Sequence, residues 1–224
     1  MRTFRNWIYG SIPVLLAVFL CIGCAGSSAS VSISGKSGPY GRIAVLPFQK
    51  ANPEDTIGRL IPRDIMGSRD LSAESAESVV EAVFLAKLAE NKKVEIVPVD
   101  QADPIYRRIA ADAISGRESD LIGRLGRQLN ADAIVVGYVY RYQDRIGTAY
   151  AVEKPASVAF ELHLLDSRDE TRTWKATYDK TQRSLMENLL NLRFFVREKG
   201  RWVTAKDLVE EGMEQVMMSF PMPR

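Results

Sequence analysis

His163 is the only histidine in this 224-residue chain, and Cys21 and Cys24 are its only cysteines. These are the side chains best suited to chemistry near neutral pH. Glu161 and Asp166 lie close to His163 in sequence, and an imidazole with a carboxylate partner is part of the machinery that activates a nucleophile. One reading is therefore a hydrolase using His163 with Glu161 or Asp166. No G-x-S-x-G elbow is present to supply its serine. The other reading is a surface or half-buried histidine on the more polar face of a strand. The carboxylates Glu74, Glu77 and Glu81 recur at helical spacing and, with Arg63-Asp64, read as a solvated face. The chain offers neither a His/Cys cluster nor acids at loop spacing with glycine, so no metal site is expected. Gly123 and Gly126 fall inside a helix rather than after a strand, which argues against a dinucleotide cofactor. No catalytic, cofactor-binding or metal-ligating residue is assigned, and no cofactor. Tyr138, Tyr140 and Tyr142, at period two, and Tyr150 form either a cap on the core or a small-ligand platform.

Cys24 has a more definite context. Arg2 and Arg5 precede an apolar run from Ile12 to Ile22, then Gly23, Cys24 and a small polar segment. That is the layout of a secretory signal peptide, too short for a comfortable membrane span. Ile22-Gly23-Cys24 resembles a bacterial lipobox, with Cys21 at the position where Leu is usual. The resemblance implies cleavage before Cys24, diacylglycerol on its sulfur and a palmitate-type acyl chain on its new amine. Ala25, in place of a retention Asp, favours the outer membrane by analogy with Gram-negative lipoproteins. The localisation expected is the periplasmic face of the outer membrane, lipid-anchored. The alternative is an ordinary secretory signal with an incidental cysteine. Removing residues 1–23 takes Arg2 and Arg5 from 30 basic residues and leaves 28, equal to the 28 acidic ones. A neutral mature chain argues against a nucleic-acid partner.

The elements that must position these residues read in order. Residues 1–23 are the signal peptide. Residues 24–41, rich in Ser and Gly, are the lipidated cysteine and a flexible tether. Residues 42–224 are one periplasmic α/β domain. Arg42–Phe48 is a doubly covered strand, and residues 49–71 a long loop fit for a partner. A helix from Ser72 to about Asn91 buries Val79, Val80, Val83, Leu85 and Leu88, and residues 93–99 form a second strand. Asp103-Pro104 reads as N-cap and first position of the next helix. Ser115–Glu118 reads as a capping box for a helix that buries Leu121, Ile122, Leu125 and Leu129 and stops at Asn130. Residues 131–145, 156–166 and 171–180 form an antiparallel meander with turns near Gly147 and at 167–170. Ser184 starts a short helix. Thr204 caps the last one, with Asp207 at its third position, Leu208, Met213, Val216, Met217 and Phe220 packing inward, and Trp202 stapling it to the helix before. The fold class expected is a single two-to-three-layer α/β sandwich with a mixed sheet of about five strands covered by helices.

The runs R-I-A-V-L-P-F (42–48), V-E-I-V-P-V (94–99) and A-D-A-I-V-V-G-Y-V (131–139) resemble the periplasmic domains of curli-secretion lipoproteins, penicillin-binding-protein activators, and the N-terminal domain of the Tol-system propeller protein. The resemblance spans about residues 40–185. It implies a non-catalytic α/β module that docks on envelope partners or forms homo-oligomers. The short turns near Gly147 and Asp169 lack the paired lipid-facing strands of a pore. The function expected is a lipid-anchored periplasmic binding or assembly module, not an enzyme, held to the membrane by Cys24 and engaging an envelope or secretion protein.

Overall fold

A computed structural model describes residues 28–33, 38, 40–51, 75–114, 120–149, 151–182 and 202–223. The signal peptide, Cys24, most of the loop at 49–71, the capping box at 115–118, Tyr150 and the helix expected from Ser184 lie outside these residues.

Among the described residues a mixed sheet of seven strands runs through the domain. Its strands are β1 (Ser28–Ile33), β2 (Arg42–Val45), β3 (Gln49–Lys50), β4 (Glu95–Val97), β5 (Ala133–Gln143), β8 (Ser157–Asp166) and β9 (Arg172–Thr181), in the order β1-β9-β8-β5-β2-β4 with β3 also on β5. The strands β6 (Ile146–Gly147) and β7 (Val152–Lys154) make a separate two-stranded hairpin. β2, β3 and β4 join by parallel pairing, whereas β5, β8, β9 and β1 pair antiparallel. The apolar runs thus take the parallel positions, which need cover on both faces.

Helices supply that cover. The helices α1 (Ala76–Ala89) and α4 (Ala205–Met217) close one face, over Ile43, Val45, Val135, Phe160, Leu162, Trp174 and Tyr178. The helices α2 (Val99–Ile114) and α3 (Leu121–Leu129) close the other, over Ala44, Leu46, Val97, Ile134, Val136 and Leu165. The result is a three-layer α/β sandwich, with more strands than the five expected.

Much of the local chemistry works as the residues suggest. Thr204 accepts from Asp207 N at 3.1 Å and Asp207 accepts from Thr204 N at 2.7 Å, a complete capping box. Leu208, Met213 and Val216 are fully buried. Asn130 ends α3 in the left-handed conformation, φ 50° and ψ 43°. Gly147 adopts φ 112°, a turn geometry that L side chains rarely take.

Four expectations need correction. Ser28–Ile33, read as part of a flexible tether, is an edge strand paired with β9 in register Ser28↔Asp179 to Ile33↔Trp174. Its described side chains, 29–32, are exposed, so the strand is held by backbone pairing that a composition argument does not register. Second, α1 begins at Ala76, with Ser75 as its N-cap accepting from Ser78 N. Third, α2 begins at Val99, where the Pro98 carbonyl accepts from Gln101 and Ala102; Asp103 is not its cap, and Pro104 lies inside it. The missing N–H of Pro104 costs one bond near the helix start, and burial of Ala102, Tyr106, Ile109 and Ala110 outweighs it. Fourth, α3 begins at Leu121, past the expected capping box. The Trp202 backbone N–H donates to the Ala149 carbonyl at 2.8 Å, beside the β6–β7 hairpin; the helix that Trp202 was expected to join to the last one lies outside the described residues.

Candidate functional site

The candidate site is built on the α2/α3 side of the sheet, where β8 crosses between β5 and β9. His163 lies opposite Val136 on β5 and Lys175 on β9; Glu161 lies opposite Tyr138 and Thr177. Period-two alternation turns both side chains to one face. That much was legible in the sequence. Their depth was not: His163 is 2% exposed and Glu161 9%, so the histidine is neither on the surface nor half-buried. All ten residues of β8 are buried: the strand has a neighbour on each edge and contributes to the cores on both faces of the sheet.

The polar groups there satisfy one another. Glu161 Oε1 meets His163 Nε2 at 2.5 Å, and Oε2 takes Lys175 Nζ at 2.8 Å and the Thr177 hydroxyl at 3.3 Å. Arg172 Nη1 lies 3.5 Å from His163 Nδ1. The Tyr138 ring stands edge-on to the imidazole, centroids 5.5 Å apart. Burial by itself would raise the Glu161 carboxyl, but the His163 hydrogen bond and the Lys175 ammonium outweigh it and bring the group down to about 2. Glu161 is therefore a carboxylate at physiological pH, pinned by its neighbours.

Asp166 is not part of this cluster. Its Oδ1 accepts from the amides of Arg168 and Asp169, at 2.8 and 3.3 Å, and Oδ2 faces Arg168. It shapes the β8–β9 turn, and these turn amides with the Arg168 guanidinium hold it below the usual range against the opposing effect of burial. A hydrolytic relay needs an acid on one imidazole nitrogen and a hydroxyl or thiol on the other. Here Glu161 sits at Nε2, and the group at Nδ1 is the guanidinium of Arg172.

The tyrosines part company. A bulge between Val139 and Arg141 breaks the period of β5. Tyr138 and Tyr140 pack with the α2/α3 core and Tyr142 with the α1/α4 core. Tyr138 is 1% exposed, so it caps a core. Burial pushes its hydroxyl far up, out of reach of titration.

Two structural roles were missed by the sequence reading. Glu81, assigned to a solvated face with Glu77, is buried, and its Oε2 accepts from Phe48 N at 2.9 Å. It lies three residues before Phe84, on the buried stripe of α1, which is the signal that could have found it. Gly123 and Gly126 are packing positions. A Cβ at Gly126 would fall 2.3 Å from Ser167 Cβ, so the β8–β9 turn lies directly on α3.

Among the described residues no group of three His, Cys, Asp or Glu is placed to hold a metal ion, and no helix is long and apolar enough to cross a membrane. Cys24 lies outside the described residues; the first residue described after it is Ser28, the start of β1.

No family model and no curated protein matches this sequence. Solved structures do. The PelC dodecamer from Paraburkholderia phytofirmans is similar over 89% of this chain and 100% of its own, with 13% identity and a TM-score of 0.50. Lipoprotein GNA1162 from Neisseria meningitidis matches 70% of this chain and 92% of its own, at 17% identity and a TM-score of 0.39. The LpoB C-terminal domain from Escherichia coli matches 66% of this chain and 88% of its own, at 9% identity and a TM-score of 0.39. At such identities the likeness is one of fold, and the first of the three carries it.

Proposed function

We propose that this protein is a lipid-anchored, non-catalytic binding or assembly module on the periplasmic face of the bacterial outer membrane, serving an envelope or secretion complex. The observation that carries the non-catalytic part is His163: its two ring nitrogens face a pinned carboxylate and a guanidinium, inside the sheet. The anchor rests on Ile22-Gly23-Cys24 behind a signal-like leader. A fold like that of PelC, whose structure is a dodecamer, is compatible with assembly of several copies. For this chain the partner, another envelope protein or further copies of itself, is part of the proposal.

The test is made on the intact protein in its membrane. Labelling with an alkyne palmitate analogue is expected to mark the wild type and not Cys24→Ser. Crosslinked membranes are expected to yield a discrete complex with the wild type, lost in Cys24→Ser. His163→Ala is expected to leave the complex in place if it remains folded. A palmitate label that survives in Cys24→Ser sinks the anchor. A folded His163→Ala protein that keeps its complex but loses a hydrolytic activity of the wild type sinks the non-catalytic reading.

A further inference from the structure

The first residue of β1 sits four positions after Cys24, so the two Cα atoms lie within about 15 Å whatever path residues 25–27 take, at 3.8 Å per step. The register fixes which end of the sheet this is. Ser28 pairs with Asp179 near the end of β9, Thr181 pairs with Ser157 at the start of β8, and Ser157 pairs with Gln143 at the end of β5. The β6–β7 hairpin is inserted between Gln143 and Ser157, so it projects from this same end. Three strand steps of about 4.8 Å separate β1 from β5, so the hairpin leaves the sheet at the same end as the start of β1, about 14 Å across it. The β8–β9 turn, with Asp169, lies at the opposite end.

The hairpin is built to hold a fixed shape. Thr148 N donates to the Ala151 carbonyl at 2.8 Å, Ala151 N to Thr148 Oγ1 at 3.0 Å, and Trp202 N to the Ala149 carbonyl. Arg145 Nη1 donates to the Trp202 carbonyl at 2.5 Å, and Asp144 Oδ1 accepts from Ala205 N at the start of α4. At the base of this braced hairpin Ile146 is 47% exposed, paired across it with the exposed Lys154. Val31, 40% exposed, lies on β1 itself. Among the described residues three large apolar side chains are exposed, Val31, Ile146 and Met218; Val31 lies on the first element after Cys24 and Ile146 on the hairpin at the end of the sheet where that element starts. An exposed apolar side chain with a lysine opposite it suits the boundary between acyl chains and phosphate headgroups, where the ammonium reaches water and phosphate while the apolar body is immersed.

We propose that this end of the sheet, with the hairpin that carries Ile146 and Lys154, rests in the headgroup layer of the membrane that the acyl chains on Cys24 enter. This rests on the lipid anchor proposed above. The domain then lies against the bilayer, with the β8–β9 turn and the start of β5 directed away from it.

The experiment uses the full lipidated protein in vesicles of phosphatidylethanolamine and phosphatidylglycerol. Cys21 leaves with the leader and Cys24 is acylated, so a single introduced cysteine is the only free thiol. Ile146→Cys and Asp169→Cys, both at exposed sites, each carry an environment-sensitive fluorophore. Lipids bearing a quencher near the headgroup are expected to cause loss of emission at 146 and none at 169. Vesicle-bound protein with no loss at 146 overturns this proposal and leaves the anchor standing. Protein that does not stay on vesicles overturns the anchor, and this proposal with it.

Discussion

The carboxylate of Glu81 on α1 accepts the amide hydrogen of Phe48 at 2.9 Å, across 33 residues of sequence. The bond spans the point where the chain leaves β2 and re-enters the sheet as β3. There Leu46 N donates to the Val135 carbonyl and Ala51 N to that of Val139, and the Phe48 amide turns to the helix instead. A buried amide without a partner costs about 1–3 kcal/mol, so Glu81→Ala is expected to lose about that much in urea unfolding. Glu81→Gln keeps an acceptor at the same place and is expected to lose less. Equal losses in the two variants would show that charge, not the hydrogen bond, is what matters.

The Glu161 cluster makes a prediction about acid. The folded carboxyl lies near 2, well below its ordinary 4.5. A group depressed on folding stabilises the native state above its unfolded value, and that contribution is lost as pH falls from about 4.5 through about 2. Its full size is of the order of 3 kcal/mol. Glu161→Gln is expected to be less stable than the wild type at pH 7, with the gap narrowing as pH drops through this window. A gap that stays constant from pH 7 to pH 2 would contradict the assignment.

Gly212 lies on α4 against the face of Tyr178, and a Cβ there would fall 2.5 Å from the ring. In an open helix Gly→Ala stabilises by roughly 1 kcal/mol. Here the methyl group must push α4 off the sheet, and overpacking of this kind costs about 1–3 kcal/mol. Gly212→Ala is therefore expected to lower the melting temperature, and the double variant with Tyr178→Leu to recover part of the loss.

Tyr40 tests where the folded domain begins. It is fully buried, and its hydroxyl donates to Thr173 Oγ1 at 3.1 Å, although it falls in the segment read as tether. Tyr40→Phe is expected to cost about 0.5–1.5 kcal/mol, the worth of one hydrogen bond, and Tyr40→Ala about 3–5 kcal/mol. Indifference of chemical denaturation to Tyr40→Ala would place this residue outside the cooperative unit.

The sequence by itself determined the class of the fold, the meander, the Asn130 stop, the Thr204 capping box and the pairing of His163 with Glu161 on one strand face. These follow from short-range rules: period two in strands, one hydrogen bond at a cap, one left-handed residue at a helix end. What only the tertiary structure decided depends on what lies across a gap. Ser28–Ile33 is a strand because β9 offers a free edge; Ser30-Val31-Ser32-Ile33 alternates as a strand does, but so short a run does not reveal that an edge awaits it. Glu81 is buried because the Phe48 amide needs an acceptor. Tyr142 parts from Tyr138 because one extra residue at the bulge turns the strand over. Depth is likewise set by neighbouring strands and helices, so alternation could place His163 on a face and could not say that the face was closed.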